Sequence, residues 1–452
     1  MKQVKRRTWF CLLFTLLLTV GLGLFLLHYG TDGEKWASFS ANKHIYDKSG
    51  QLLSGAILDR SGNVLYDAAT GAYSEDKTIR RATLHAVGDR SGNIATGAKL
   101  AFRDKLSGFN PILGTTAGGH DLSLTLDEDL CAAAYSALNG QKGAVGVYNY
   151  KTGELLCMVS APSFDPANPP DDVETNDRYE GVYLNRFLSA TYTPGSVFKL
   201  VTTAAALENL PDVKNRTFTC TGSIEIGGQT ITCPGAHGEM DFYGALANSC
   251  NGAYATLATE LGGKTLWQYA QRAGLLDSQS VSGISTAAGS FLAADDGSAD
   301  LGWSGVGQYN DLVNPCAMMT FAGTIANRGT QVVPRLLYRE TTASGLSVGH
   351  FSTEKHSGAM KSDTCETLAD MMRNNVLNHY GQSQFGDLAV CAKSGTAEVG
   401  EGKRPHSWFV GFIDDDAHPL AFAVVVENGG SGASVAGGVA ATVLKTAAQL
   451  GY

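Results

Sequence analysis

Ser196 and Lys199 stand three residues apart in Thr193-Pro194-Gly195-Ser196-Val197-Phe198-Lys199, directly ahead of an apolar run at residues 200–207. This spacing predicts a serine at the first turn of a buried helix, with a lysine one turn along on the same face. A hydroxyl there can act as a nucleophile, and the amine at i+3 can take its proton if the site excludes water. A free lysine titrates near ~10.4 and is protonated at neutral pH, so it becomes a base only through burial or a nearby cation. The neighbours Val197, Phe198, Leu200 and Val201 favour a dry lysine. The competing reading is a structural lysine paired with a carbonyl or carboxylate.

Two further motifs complete a chemical set: Ser249-Cys250-Asn251 and Lys393-Ser394-Gly395-Thr396. Acyl transfer needs a nucleophile, a base, an oxyanion hole and a group that holds the substrate. Ser196 is the candidate nucleophile and Lys199 the candidate base. Ser249 is the candidate proton relay, and Lys393 supplies fixed positive charge that can also depress Lys199. Asn251 offers a donor and an acceptor for a peptide amide, or simply caps the next helix. Ser394, Gly395 and Thr396 form the candidate substrate-binding strand, whose hydroxyls join Lys393 in holding a carboxylate. The N–H groups of Ser196 and Thr396 are the candidate oxyanion donors. No metal and no cofactor belongs to this set.

Each motif alone is common. Ser-x-x-Lys also occurs at Ser40, Ser74 and Ser352, Ser-x-Asn at Ser40, Ser61 and Ser91, and Lys-Ser/Thr-Gly at Lys48 and Lys151. Ser61 and Ser91 lie in two copies of Asp-Arg-Ser-Gly-Asn, a turn composition. Lys151 lies in a turn between strand-like residues 143–148 and 154–160, and Ser40 precedes no long apolar run. Only Ser196, Ser249 and Lys393 combine a buried helix start, a loop ahead of a helix, and an apolar strand at 388–391.

The elements that must position them read as follows. Residues 130–139 look helical, 143–160 a strand hairpin, and 162–185 irregular. Residues 241–261 look like two helical stretches, 301–325 a loop then a helix, and 360–378 a helix. Strands are expected at 388–397, 408–413 and 421–427, with a last helix at 435–450 capped by Ser434. Strand hairpins at both ends with helices between predict an α/β (α+β) fold, an antiparallel sheet flanked by helices. Short strands near 55–58 and 64–65 predict a small β-rich region ahead of it.

At 452 residues the chain can hold two or three domains. Its net charge of −9 and lack of a basic stripe argue against a nucleic-acid partner. Lys2, Lys5, Arg6 and Arg7 precede the uncharged residues 8–27, long enough to span a bilayer as a helix. No small-x-small cleavage pattern follows, which favours an uncleaved anchor over a signal peptide. Basic residues stay in the cytoplasm, so the chain from about residue 30 lies outside. The expected division is a cytoplasmic tail (1–7), a transmembrane anchor (8–28), a smaller external domain (29–135) and a large domain (136–452) that holds the three motifs.

Of nine cysteines, Cys220 and Cys233 flank a hairpin-like stretch with Gly227-Gly228 at its tip. Three readings stay open: a cross-strand disulfide, a structural zinc held by Cys220, Cys233, His237 and perhaps Cys250, or plain buried thiols. Cys131, Cys157, Cys316, Cys365 and Cys391 sit among apolar neighbours and read as core.

From residue 119 to 452 the chain resembles the transpeptidase part of a class B penicillin-binding protein. The likeness rests on the three motifs and on residues 143–162, 193–199, 237–251, 307–334 and Trp408-Phe409-Val410-Gly411-Phe412. Residues 55–63 resemble the start of that family's pedestal domain. The resemblance implies a serine acyl-enzyme that cross-links peptidoglycan stem peptides ending in D-Ala-D-Ala, with β-lactams as covalent inhibitors. It also implies a membrane glycosyltransferase as working partner. A D,D-carboxypeptidase is the nearer alternative; a β-lactamase or a β-lactam sensor is more remote. No glutamate occurs between Glu260 and Glu340 to deacylate like a class A β-lactamase, and the expected cytoplasmic tail is too short for a sensor output. Two departures stand out: the pedestal is short, and Gly307-Gln308-Tyr309 replaces the more usual Gly-Gln-Gly.

Overall fold

The computed structural model describes residues 2–39, 55–110, 114–115, 119–292, 294–348, 351–400 and 402–452. Ser40 and Lys48 lie outside these residues.

The core is a five-stranded antiparallel sheet in the order Val390–Ala397, His406–Ile413, Leu420–Val426, Gly143–Asn149, Leu155–Ala161. Every residue of Leu155–Ala161 and of Leu420–Val426 is buried, because helices cover both faces of the sheet. That is why these strands read as unbroken apolar runs without alternation. Helices Glu128–Ala137 and Gly437–Gln449 pack together on one face, where Gly437 rests on the Phe409 ring. Helix Pro315–Ala326 crosses the other face, where Gly323 lies against Tyr148. Helix Ser362–Asn375 lies beside it and backs strand Val390–Ala397.

A second, six-stranded sheet joins Ala56–Leu58, Val64–Asp67, Ala72–Tyr73 and His120–Leu124 to Leu337–Thr342 and Ser347–Val348 from far along the chain. The first two strands are joined by the predicted turn: the Asp59 carboxylate accepts the Ser61 and Asn63 N–H groups at 2.9 and 2.8 Å. Arg80 ties this region to the large one through two parallel 2.7 Å bonds to Asp165. The Arg80 guanidinium holds the Asp165 carboxyl down to about 2.

Lys2–Ala37 is one continuous helix of 36 residues. At 1.5 Å per residue it is roughly 54 Å long, more than a hydrocarbon layer of ~30 Å requires. Its stretch from Gln3 to Gly33 is apolar enough to cross a membrane. Its last turns carry Tyr29, whose ring meets Phe109 edge-on at 5.9 Å.

Two local expectations are corrected. Ser434 is not the cap of the last helix: Ser431 caps a wide turn at Gly432–Ala436, accepting the Ser434 N–H, and the regular helix starts at Gly437. Residues 301–325 hold two helices, Ala299–Val306 and Pro315–Ala326, joined by the loop 307–314. Asn314 starts the second of these, fully buried. Its Oδ1 accepts the Cys316 and Ala317 N–H groups, and its Nδ2 donates to the carbonyls of Phe187, Leu188 and Ala190 at 2.8–3.3 Å. Asn314→Ala strands all of these in the core and will destabilise the fold by about 3 kcal/mol or more, read as a lower denaturation midpoint of the detergent-solubilised chain.

Candidate active site

The segment leading to Ser196 is held rigidly. The Tyr192 N–H and carbonyl pair with Val313, each at 2.9 Å, and the Tyr192 hydroxyl donates to Glu427 at 2.8 Å. The Trp408 indole N–H donates to the Thr193 carbonyl at 3.0 Å. Gly195–Val197 then forms a single 3₁₀ turn with Ser196 half-buried, and the α-helix runs from Lys199 to Asn209. The predicted helix start is therefore a tight turn followed by a helix, and residues 199–206 are buried all round.

Lys199 is fully buried. Its Nζ donates to the Ser249 carbonyl at 2.5 Å and to Asn251 Oδ1 at 2.8 Å, and lies 3.1 Å from Ser249 Oγ. Lys393, also fully buried, places its Nζ 3.1 Å from the same Ser249 Oγ and donates to the Ser394 carbonyl at 2.8 Å. One hydroxyl thus bridges two amines. Burial, reinforced by the Lys393 charge, holds Lys199 well below the usual lysine range. Burial alone brings Lys393 down to about 7. These are the conditions a lysine base requires.

Ser249 adopts a left-handed backbone, φ 53°, between helices Phe242–Ala247 and Asn251–Leu261. Such a conformation persists only where surrounding contacts over-determine it. Cys250, not Asn251, caps the second helix, its sulfur accepting the Ala253 N–H. Asn251 instead spends its amide on Lys199 and on the Thr232 carbonyl, the latter at 2.8 Å.

Strand Val390–Ala397 is the edge of the large sheet. The Ser394 N–H donates to the Tyr380 hydroxyl, away from the neighbouring strand, at 3.0 Å. With period two, the Thr396 N–H also faces the free edge, toward the Ser196 turn. Ser196, Ser249, Asn251, Ser394 and Thr396 all line one cleft of about 670 Å³, together with Trp303, Gln308, Tyr309 and Glu398. Every candidate site residue therefore lies in or directly beneath this cleft.

The chain matches the family described as penicillin binding protein transpeptidase domain over residues 143–447. It belongs to this family. It is 31% identical over 414 residues to the peptidoglycan D,D-transpeptidase PbpA of Mycolicibacterium smegmatis, covering 83% of this chain and 80% of that one. Its fold is similar to the D,D-transpeptidase domain of a peptidoglycan glycosyltransferase from Eggerthella lenta (28% identity, TM-score 0.75, 88% and 98% covered). It is likewise similar to penicillin-binding protein A of M. tuberculosis in an imipenem acyl-enzyme complex (25%, TM-score 0.76, 88% and 98% covered).

In this transpeptidase-family chain the motifs do not mark Tyr380, whose hydroxyl supports strand Val390–Ala397 at Ser394, or Trp303 and Glu398 on the cleft wall. Nothing in their local sequence marks them; only the fold brings them in. Gly307 had a legible signal in the Gly-Gln-Tyr sequence. It sits at φ 85°, its carbonyl accepts the Gly195 N–H at 2.8 Å, and an added Cβ would lie 2.1 Å from the Gly195 carbonyl oxygen. Tyr309 adopts φ 66° and projects into the cleft mouth, nearly half exposed. Gly307→Ala must push the Ser196 turn aside. The expected result is a penicillin acylation rate constant reduced about 10²-fold, together with a lower melting temperature from the strained φ and the backbone clash. An unchanged rate would show that this loop does not hold the turn.

Cys220 and Cys233 are free thiols here, not a cross-strand disulfide. The five cysteines read as core are all buried. Residues 223–232 do form a hairpin, with Gly227 and Gly228 both at positive φ as its two-residue turn requires.

Proposed function

We propose that this chain is a peptidoglycan D,D-transpeptidase working through a serine acyl-enzyme, and that β-lactams inhibit it by acylating the same serine. The observation that carries the reading is Ser249 Oγ held 3.1 Å from both buried amines, under a cleft onto which Ser196 opens. The relatives support it: one carries the name D,D-transpeptidase, and another forms an acyl-enzyme with imipenem.

Ser196 Oγ attacks the carbonyl carbon of the penultimate D-Ala, and its proton passes to neutral Lys199. The N–H groups of Ser196 and Thr396 receive the developing oxyanion, the kind of contact whose loss typically costs ~10²–10³ in rate. Collapse breaks the C–N bond, and the departing D-Ala amine takes a proton relayed through Ser249. An acceptor stem-peptide amine then attacks the ester, restoring Ser196. Asn251 aligns the peptide amide, while Lys393, Ser394 and Thr396 hold the terminal carboxylate. With a β-lactam the same attack opens the ring, and the leaving nitrogen stays tethered.

The apolar N-terminal helix makes the chain a single-pass membrane protein. Its basic tail faces the cytoplasm, and a membrane glycosyltransferase supplies the nascent strand. The proposed division is tail 1–7, anchor 8–28, pedestal 29–135 and catalytic domain 136–452, with helix Glu128–Ala137 packed on the catalytic sheet and Leu337–Thr342 lending a strand to the pedestal sheet.

The test is product analysis by mass spectrometry, with lipid-linked muropeptide, the full chain and a partner glycosyltransferase. Cross-linked dimers that vanish on penicillin treatment are expected. Exclusive release of D-Ala without dimers would instead make the chain a D,D-carboxypeptidase.

A further inference from the structure

Cys220 ends the strand Thr217–Cys220, Cys233 follows the strand Gln229–Thr232, His237 precedes the strand Gly238–Asp241, and Cys250 caps the helix Asn251–Leu261. Four separate elements thus bring one ligand atom each to a single point, all within 4.8 Å of one another. The Cys233 and Cys250 sulfurs are 3.8 Å apart. That is too long for a bond between them, yet it matches the sulfur–sulfur edge of a tetrahedron with zinc–sulfur distances of about 2.3 Å, which is about 3.8 Å. The Gly252 N–H points at Cys233 and the Ala253 N–H at Cys250, at 3.2 and 3.5 Å, as amides do toward thiolates. The His237 Nδ1 is buried without any hydrogen-bond partner, an unexplained orphan if nothing binds there.

We propose that Cys220, Cys233, His237 and Cys250 bind one zinc ion in a closed structural site that fastens the 223–232 hairpin to the Ser249-Cys250-Asn251 turn. Three sulfurs and one imidazole select a soft, tetrahedral ion over magnesium or calcium. The site is full with four protein ligands, so the ion takes no part in chemistry. Its effect is positional. Cys250 lies between Ser249 and Asn251, the two residues whose side chains meet Lys199, and Asn251 Nδ2 bonds the Thr232 carbonyl beside Cys233. Pinning Cys250 and Cys233 to one ion fixes both walls of this corner and holds Ser249 in its left-handed conformation.

The experiment uses the full chain in detergent, produced with zinc in the medium and purified without chelator or polyhistidine tag. Elemental analysis should find about one zinc per chain. The double variant Cys220→Ser/His237→Ala should lose it, and Cys365→Ser, outside the cluster, should keep it. Cobalt replacement should give thiolate-to-metal charge transfer and intense tetrahedral d–d bands. Because the variant can fail to fold, the wild type is also stripped with a strong chelator. Its melting temperature should drop and its penicillin acylation slow about 10- to 100-fold, both returning with added zinc. Substoichiometric zinc, octahedral cobalt spectra, or a disulfide among the three cysteines would overturn the site. Bound zinc whose removal leaves acylation unchanged would overturn its positioning role. Zinc content is read independently of acyl transfer. A zinc-free chain that still labels with penicillin leaves the transpeptidase reading standing, and a zinc-bound wild type that never labels sinks that reading alone.

Discussion

Full-length Ser196→Ala protein incubated with a fluorescent penicillin will show no covalently labelled band, while Ser40→Ala and Ser352→Ala will label like the wild type. The contrast is all or none because a covalent adduct needs one specific oxygen. Ser352 shares the Ser-x-x-Lys spacing, yet it lies beside Phe351 and Glu354, away from the cleft. Ser249 is the one rival worth naming, since its hydroxyl also lines the cleft. It is engaged between two amines, and its backbone carbonyl accepts from Lys199, which suits a relay more than a nucleophile. Mass spectrometry of the labelled peptide separates the two: an adduct on Ser249 in the Ser196→Ala protein would overturn the nucleophile assignment.

The second large effect concerns Lys199. Replacing it with arginine keeps a cation but removes any chance of a neutral base, because a guanidinium stays protonated at every working pH. Acylation should slow by about 10²–10⁴-fold, the usual contribution of general base catalysis. Lys199 is fully buried, so Lys199→Met serves as a companion that fits the pocket without charge. Both should be slow, and near-normal acylation by a folded variant of either kind would remove Lys199 as base. The pH dependence follows with a defined sign. The active form is the neutral amine, so the acylation rate falls as pH drops through the depressed Lys199 value, which lies well short of the usual lysine range. The Lys393 charge helps depress that value. In Lys393→Met the acid limb should therefore move to higher pH, alongside any loss of substrate affinity. An acid limb that stays in place would mean the two amines do not sense each other.

The candidate site was legible because acyl transfer demands particular residue types, and because Ser196 and Lys393 adjoin a buried helix and an apolar strand while Ser249 stands in a loop ahead of a helix. The central strands were legible for a similar reason: a sheet covered on both faces must be apolar throughout, as at residues 420–426. What stayed hidden is set by tertiary contact. Helix Ala299–Val306 carries Gly302 and Gly305, poor helix formers. They are there because a Cβ at Gly305 would sit 2.2 Å from that of Ala258, so the helix can lie tightly against Asn251–Leu261. No local pattern shows such a need. The same holds for Leu337–Thr342, whose place in the smaller sheet depends on pairing with His120–Leu124, over 200 residues away. The Ser434 cap failed by one turn, because Ser431 offers the same side chain to a widened turn that sequence does not reveal.

The doubled bond between Arg80 and Asp165 has a bearing on where such a molecule can work. A carboxyl with a folded-state value near 2 and an ordinary unfolded one near ~3.9 lends its support in full above the upper figure and gives it up progressively as pH falls from the upper figure to the lower. The brace between the two regions is therefore indifferent to mild acidification of the surroundings. A wall exposed to fluctuating proton levels would change the charge on the cleft's amines long before it loosened the frame that carries them.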